Sequence, residues 1–124
     1  MQFLYGDITE QIIGAAFEVH RVLGYGFLEK VYQRAMQVEL LLRGLRADIE
    51  SKIKVHFKDC IVGDYSADLL VNDVVIVELK AVSKVLPIHK AQLLSYLKLS
   101  RRHIGLLINL HVARLKDGIT RLAN

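Results

Sequence analysis

The sequence has little of what shapes secreted or membrane proteins. One cysteine, Cys60, stands among 124 residues, so no disulfide can form within the chain and a reducing compartment is expected. The longest apolar run near the end, IGLLINL, is too short to cross a bilayer. The start, MQFLYGDITEQ, lacks a basic region followed by a long apolar stretch, so we expect no signal peptide. These absences predict a cytoplasmic protein with no membrane segment.

The composition predicts one compact domain over residues 1–124. Apolar residues make up 52% of the chain and charged residues are interspersed among them, which argues against disorder. Lys and Arg outnumber Asp and Glu by 17 to 13, a weak indication of a polyanionic partner. Most of the basic excess lies in one third of the chain, where a solvated face and a phosphate-binding face are equally open readings: Lys80, Lys84, Lys90, Lys98, Arg101 and Arg102.

Two helices are predicted at the start by apolar residues at helical spacing. In GDITEQIIGAAFEVHRVLG, the inward residues are expected to be Ile8, Ile12, Ala15 or Ala16, Val19 and Leu23. In FLEKVYQRAMQVELLLRG, they are expected to be Leu28, Val31, Ala35, Val38 and Leu42. A glycine past the end of each segment supplies a stop.

The pattern then changes to strands. KIKVHFK alternates apolar and polar residues, YSADLLV follows, and VVIVELK has so little alternation that both of its faces should be covered. Pro87 opens a third helix, HIGLLINL is another buried strand, and ARLKDGITRL closes the chain as a short β extension. The order α-α-β-β-β-α-β predicts an α/β (α+β) fold, a mixed sheet flanked by helices.

Three charges interrupt the apolar strands of SADLLVNDVVIVELK. Glu78 and Lys80 project from the same face of one strand, because side chains alternate with period two. A three-residue loop, Val71-Asn72-Asp73, would pair Leu70 with Val74 and bring Asp68 to the same face as Glu78, within about 7–8 Å. Such a loop needs a left-handed residue at its third position, which Asp73 tolerates. An ion pair is the plain structural reading, but burying charges costs several kcal/mol per ion, which a function would explain.

Two carboxylates that meet at one point are ligands for a hard divalent cation. Mg²⁺ prefers this arrangement, with waters and substrate phosphate oxygens completing its shell, and Mn²⁺ is an alternative. Lys80 beside the cation would orient a water and offset charge on a phosphate in its transition state. The pattern therefore favours phosphodiester hydrolysis over acyl transfer.

The same residues resemble a known family. Asp68, Glu78 and Lys80 resemble the D-x(9)-E-x-K signature of the PD-(D/E)XK nuclease superfamily, and GFLEKVY resembles the motif of its GxxExxY family. ADLLVNDVVIVELKAV and LPIHKAQLLSYLKL also look like segments of that family, so the resemblance covers nearly the whole chain. It implies a restriction-endonuclease-like core and DNA as the partner. Tyr25 and Ser66 depart from the proline and arginine common there, and the second departure removes a phosphate-binding cation.

The resemblance also implies roles for individual residues. Asp68 and Glu78 correspond to direct metal ligands, Lys80 to the catalytic lysine, and Glu29 to an acidic member of the site that reaches the metal through water. Gln92 and Tyr96 resemble the catalytic Q-x(3)-Y element of one branch of the superfamily, and their spacing places both on one helical face. Ordinary helix surface and core is an equally open reading of these two residues.

The sequence itself offers three candidate nucleic-acid contacts. Lys84 and Lys90 belong to the basic third of the chain, and Tyr65 would stack on a base or simply cover the sheet.

Other chemistries find less support. The five histidines fit no zinc-ligand spacing, and no phosphate-binding G-x(4)-G-K-[ST] loop exists in the sequence. Two alternatives to a nuclease stay open: a non-catalytic module that binds nucleic acid or a partner, and a purely structural ion-pair network. At this length the site would be shallow, so a homodimer that pairs around DNA is compatible with the sequence.

Overall fold

A computed structural model describes residues 5–124, so residues 1–4 of the predicted domain lie outside the described residues. Its elements follow the predicted order. They are α1 (Gly6–Leu23), α2 (Glu29–Leu42), β1 (Ala47–Phe57), β2 (Cys60–Val71), β3 (Val75–Lys80), α3 (Pro87–Ser100), β4 (Ile104–Asn109), a 3-10 turn (Leu115–Gly118) and β5 (Ile119–Ala123). The predicted fold class is confirmed.

The five strands form one mixed sheet in the order β1-β2-β3-β4-β5. β3 and β4 are parallel and joined through α3, whereas the other neighbours are antiparallel. A parallel strand pair needs such a crossover, and the helix then covers one face of the sheet. The near-continuous apolar run of β3 follows from this arrangement, because both faces of the strand are buried.

Each face of the sheet has its own core. On one face, Val75, Val77 and Leu79 of β3 pack with residues of α1 and α2; on the other, Ile76 packs with Leu93 and Leu97 of α3. The inward residues predicted for α1 are confirmed at Ile12, Ala15, Ala16 and Val19. The first two helices therefore cover one layer and α3 the other.

The inward face predicted for α2 is wrong. Leu28 and Leu42 are 77% and 78% exposed, and Val31 and Val38 are 41% and 44% exposed. The buried side of the helix instead carries Tyr32, Gln33, Met36 and Leu40. Neighbouring residues differ by about 100° around a helix axis, so the helix is rotated by roughly one residue from the predicted orientation.

The hairpin between β2 and β3 has three loop residues, as predicted, but a different register. Leu70 pairs with Ile76 and Val71 with Val75, so the predicted pairing of Leu70 with Val74 is wrong. Asn72 and Asp73 both have left-handed backbones, at φ 50° and 62°, and Val74 adds the third loop residue. Continuing this register places Asp68 directly opposite Glu78.

Candidate active site at the split between β2 and β3

The candidate site lies where β2 and β3 stop pairing through their backbones. Their last paired residues are Leu69 and Val77. Beyond them, the backbone N–H of Asp68 donates to Oε1 of Glu78 at 3.4 Å, and the N–H of Leu79 donates to Oδ2 of Asp68 at 2.8 Å. The two carboxylates thus replace the ladder bonds, which brings Asp68 and Glu78 side by side.

The pairing of β1 with β2 is irregular at the same level as the split between β2 and β3. Pairing of β1 with β2 is interrupted where Glu50 would face Asp68, and Glu50 has a left-handed backbone at φ 53°. Ile49 packs in the core under α1 and α2, whereas Ile53 packs under α3, although residues four apart on a regular strand share a face. The strand therefore exchanges its faces at the level of the site.

Burial dominates the electrostatics of both carboxyl groups. Burial raises the pKa of Glu78 from an ordinary value of 4.5 to about 7, against the hydrogen bond from Asp68 and the charge of Lys80. Burial likewise raises the pKa of Asp68, against the hydrogen bond from Leu79. The negative charge of Glu29 raises both pKa values further, and the positive charge of Lys80 lowers both. An added cation between the carboxylates would relieve this cost.

The four predicted acidic and basic residues therefore share one neighbourhood, but not equal positions. Asp68, Glu78 and Lys80 are half-buried at the split, whereas Glu29 is exposed in the first turn of α2. Within residues 5–124, no group of three or more His, Cys, Asp or Glu side chains is arranged to hold a metal ion. The role of Glu29 as a metal ligand, directly or through water, stays a prediction.

Tyr65 and Tyr96 form a stacked pair beside Glu78. Their ring planes are 14° apart, and the Tyr65 hydroxyl donates to Oε1 of Glu78. Burial, followed by the charge of Glu78, raises the pKa of Tyr96. Tyr65 is predicted as a nucleic-acid contact, but its hydroxyl binds Glu78 and its ring stacks on Tyr96. Its contact with a base stays a prediction.

The remaining predicted residues lie on the surface. Gln92 and Lys90 are exposed on α3, and Lys84 is exposed in the segment that precedes it. None of the three makes a side-chain hydrogen bond or ion pair with another residue of the described range. The structure does not bring Gln92 into contact with the two carboxylates, so its catalytic role and the DNA contacts of both lysines stay predictions.

Sequence reasoning missed Gln33, which holds the site to α2. Gln33 is buried and its Nε2 donates to the backbone oxygen of Asp68 at 2.9 Å. It lies one turn after Glu29, so one hydrogen bond docks the helix that carries Glu29 against the strand that carries Asp68. The available signal was a polar side chain on the helix face that also carries Tyr32, Met36 and Leu40.

The donor set fits Mg²⁺. Neither Oδ1 of Asp68 nor Oε2 of Glu78 accepts a hydrogen bond from any residue between 5 and 124, so each carboxylate keeps an oxygen for a ligand. Mg²⁺ binds through one or two carboxylates and retains several waters, so two such oxygens suffice. Asp68 and Glu78 would hold the ion directly.

Comparison with known families identifies the superfamily of the whole domain. A family model described as the PD-(D/E)XK nuclease superfamily matches residues 6–122. This chain belongs to the PD-(D/E)XK nuclease superfamily. Searches of curated proteins and of solved structures found no significant match. The superfamily is one of phosphodiester hydrolases and is typically metal-dependent. In this chain Asp68 lies on β2, and Glu78 and Lys80 lie on β3. No helix among residues 5–124 of this superfamily member is long and apolar enough to span a membrane.

Proposed function

We propose that this PD-(D/E)XK protein is a Mg²⁺-dependent nuclease that hydrolyses phosphodiester bonds in DNA. One observation supports the proposal: two half-buried carboxylates meet beside Lys80, and each has an oxygen that accepts no hydrogen bond from residues 5–124. A structural ion-pair network would satisfy those oxygens with Lys80. No ion pair between Lys80 and either carboxylate exists within residues 5–124, although their pKa values respond to its charge.

The roles of the residues follow from their positions. When bound, Mg²⁺ would polarise the scissile phosphate and lower the pKa of an attacking water. Asp68 and Glu78 hold the ion, and Lys80 orients the water and offsets the negative charge that develops on the phosphate. Glu29 acts from outside the direct ligand set, through a water. Hydrolysis joins the water oxygen to phosphorus and breaks one phosphorus–oxygen ester bond.

Tyr32 supports the finer assignment to the GxxExxY family. This buried tyrosine donates its hydroxyl proton to the carbonyl oxygen of Gly24 at 2.7 Å and accepts the backbone N–H of Phe27 at 3.3 Å. It thereby fixes the turn between α1 and α2, which ends at Glu29. Two residues of the motif then act together, because Tyr32 holds the turn that delivers Glu29. The motif glycine, Gly26, lies within that turn at φ 115°, a conformation that favours glycine.

The direct test is cleavage of single- and double-stranded DNA with Mg²⁺, with Mn²⁺ or with a chelator. We expect wild-type protein to cleave only with metal, and Glu78→Gln to lose cleavage by about 10²-fold or more while it unfolds at a temperature no lower than that of wild type. Glu10→Gln, an exposed glutamate on α1, is the matched control and should cleave like wild type. Salt-sensitive DNA binding without hydrolysis under either metal would contradict the nuclease and favour a non-catalytic binding module.

A further inference from the structure

An apolar groove runs between α1 and α2, on the side of these helices that faces away from the sheet. It has a volume of about 670 Å³, and its floor is formed by Val19, Val22, Leu23, Val31, Ala35 and Val38. Its rim is charged, with Glu18, Lys30, Arg34 and Glu39. Exposed apolar surface of this kind marks an interaction site rather than a solvated face.

The α2 side of this α1–α2 groove carries the spacing of a coiled coil. Apolar residues recur at intervals of three and four and occupy the a and d positions of two heptads, a set that we call the α2 seam: Leu28, Val31, Ala35, Val38 and Leu42. The two ends of the α2 seam, Leu28 and Leu42, are more than three-quarters exposed. Such spacing is typical of a helix that packs along another helix, and Val31 and Val38 stay 41% and 44% exposed although α1 forms the other wall of the groove.

The charges beside the α2 seam indicate which kind of partner fits the groove. In this heptad frame, Arg34 is at position g and Glu39 at position e of the next heptad, the pair that meets across two parallel helices. Among residues 5–124, Arg34 bonds to Gln37 and has no carboxylate partner. Glu39 accepts from Arg43 of its own chain through Oε2 at 2.8 Å. A second copy aligned in parallel would present the other oxygen of that carboxylate, Oε1, to each Arg34, twice over by symmetry.

We propose that the α1–α2 groove is the interface of a homodimer, in which α2 of each copy packs in parallel along α2 of the other. A helix of 14 residues is short for a coiled coil, so the α1 wall of the groove must add buried area to reach a stable interface. Parallel packing places both N-termini of α2 at one end, and with them both Glu29 residues. Two candidate sites then lie at the same end of the pair.

Other occupants fit the groove less well. A nucleic-acid backbone needs several cations along its path, whereas this rim alternates acidic and basic residues around an apolar floor. A membrane surface favours a helix with a basic polar face, and Glu18 and Glu39 stand on the rim. Charges of both signs around an apolar seam are typical of helix pairing.

Sedimentation over a concentration series tests the interface without metal or nucleic acid, so its outcome is independent of the nuclease proposal. We expect wild type to dimerise and Val38→Asp to be monomeric at concentrations where wild type is mostly dimer. Val62→Asp is the matched control, because Val62 is 60% exposed on β2 and lies outside the groove. Thermal unfolding should confirm that both variants are folded. A monomeric wild type, or a Val38→Asp protein that dimerises like Val62→Asp, would overturn the proposal.

Charge exchange tests the orientation. Arg34→Glu and Glu39→Lys each create like-charge pairs in a parallel homodimer, so each variant alone should be monomeric. Mixed together, they restore both pairs, and a heterodimer should form. If the mixture stays monomeric although wild type dimerises, or if either variant alone dimerises as tightly as wild type, parallel packing through Arg34 and Glu39 is refuted.

Discussion

The candidate site and the α2 seam depart from the usual partition of polar and apolar residues in opposite directions. At the split between β2 and β3, the chain takes two carboxylates partly out of water. On α2 and its N-cap residue Leu28, it leaves five apolar residues exposed or half-exposed. Neither choice favours the folded monomer, because a buried charge and an exposed apolar stripe both cost free energy. The comparison teaches that each departure marks a surface that meets something else: a cation with a phosphate in one case, another helix in the other.

The largest expected effect distinguishes the role of Lys80 in cleavage from the role of the two carboxylates in binding the metal. Lys80→Ala should lower the cleavage rate by about 10²–10⁴-fold while Mg²⁺ affinity falls little, because the ion's ligands are Asp68 and Glu78. Glu78→Gln should lose Mg²⁺ affinity as well as rate. Calorimetry with Mg²⁺ beside single-turnover cleavage measures both quantities. Equal loss of metal affinity in the two variants would show that Lys80 only supports the fold of the site.

The next effect compares the two faces of α2. Leu40→Ala should lower the free energy of unfolding by about 2–5 kcal/mol, because Leu40 is fully buried in the core. Leu42→Ala should change it by about 0.5 kcal/mol or less in the monomer, because that side chain is 78% exposed. Denaturant unfolding at a concentration that keeps the protein monomeric measures both. Comparable losses would mean that Leu42 is covered within a single chain.

The buried face of α2 differs from the predicted one, and this difference shows what helical spacing alone cannot predict. Helical spacing predicts both first helices, and in α1 a single apolar stripe also predicts the buried face. In α2 two stripes compete, one along Val31 and Val38 and the other along Met36 and Leu40. The second is buried because its polar members find partners inside, the Tyr32 hydroxyl at Gly24 and the Gln33 amide at Asp68. Those partners are distant in sequence, so periodicity cannot reveal them.

The sequence predicts the two carboxylates of the site, but not the residues that hold them in place. The parity of the β2–β3 loop places Asp68 and Glu78 on one face, and the structure brings them together although the register differs by one residue on each side of the loop. The left-handed Glu50 in β1 and the Tyr65 contact with Glu78 were not foreseeable. Both depend on how a neighbouring strand or helix is placed, which no local pattern records.

A pH experiment measures how much the burial of Glu78 destabilises the folded protein. The pKa of Glu78 is raised from 4.5 to about 7 in the folded protein, so the folded state holds an extra proton between these values. Stability of the metal-free protein should therefore be unaffected by this group below pH 4.5, fall as pH rises to 7, and stay reduced above it. Glu78→Gln removes that loss and should be the more stable protein at pH 8, by about 3 kcal/mol, but not at pH 4.

Urea unfolding at the two pH values, in chelator, measures this difference. Added Mg²⁺ should stabilise wild type at pH 8 and leave Glu78→Gln unchanged, because binding to the folded state raises the free energy of unfolding. A Glu78→Gln protein that is less stable than wild type at both pH values would instead mark Glu78 as a structural ion-pair partner.

The smallest effect tests whether Gln33 serves the site or only the fold. Gln33 and Gln37 lie one turn apart on α2, and each donates to a strand carbonyl, Asp68 for the first and Ala47 for the second. Replacement of either by methionine leaves a carbonyl without its donor and should cost about 1–3 kcal/mol of stability. Only the Gln33 bond fixes Asp68 relative to Glu29, so only Gln33→Met should also lower cleavage and weaken Mg²⁺ binding. Gln37→Met is thus the matched control for helix docking. If both variants retain cleavage and metal affinity at equal stability, the hydrogen bond to Asp68 contributes to folding alone.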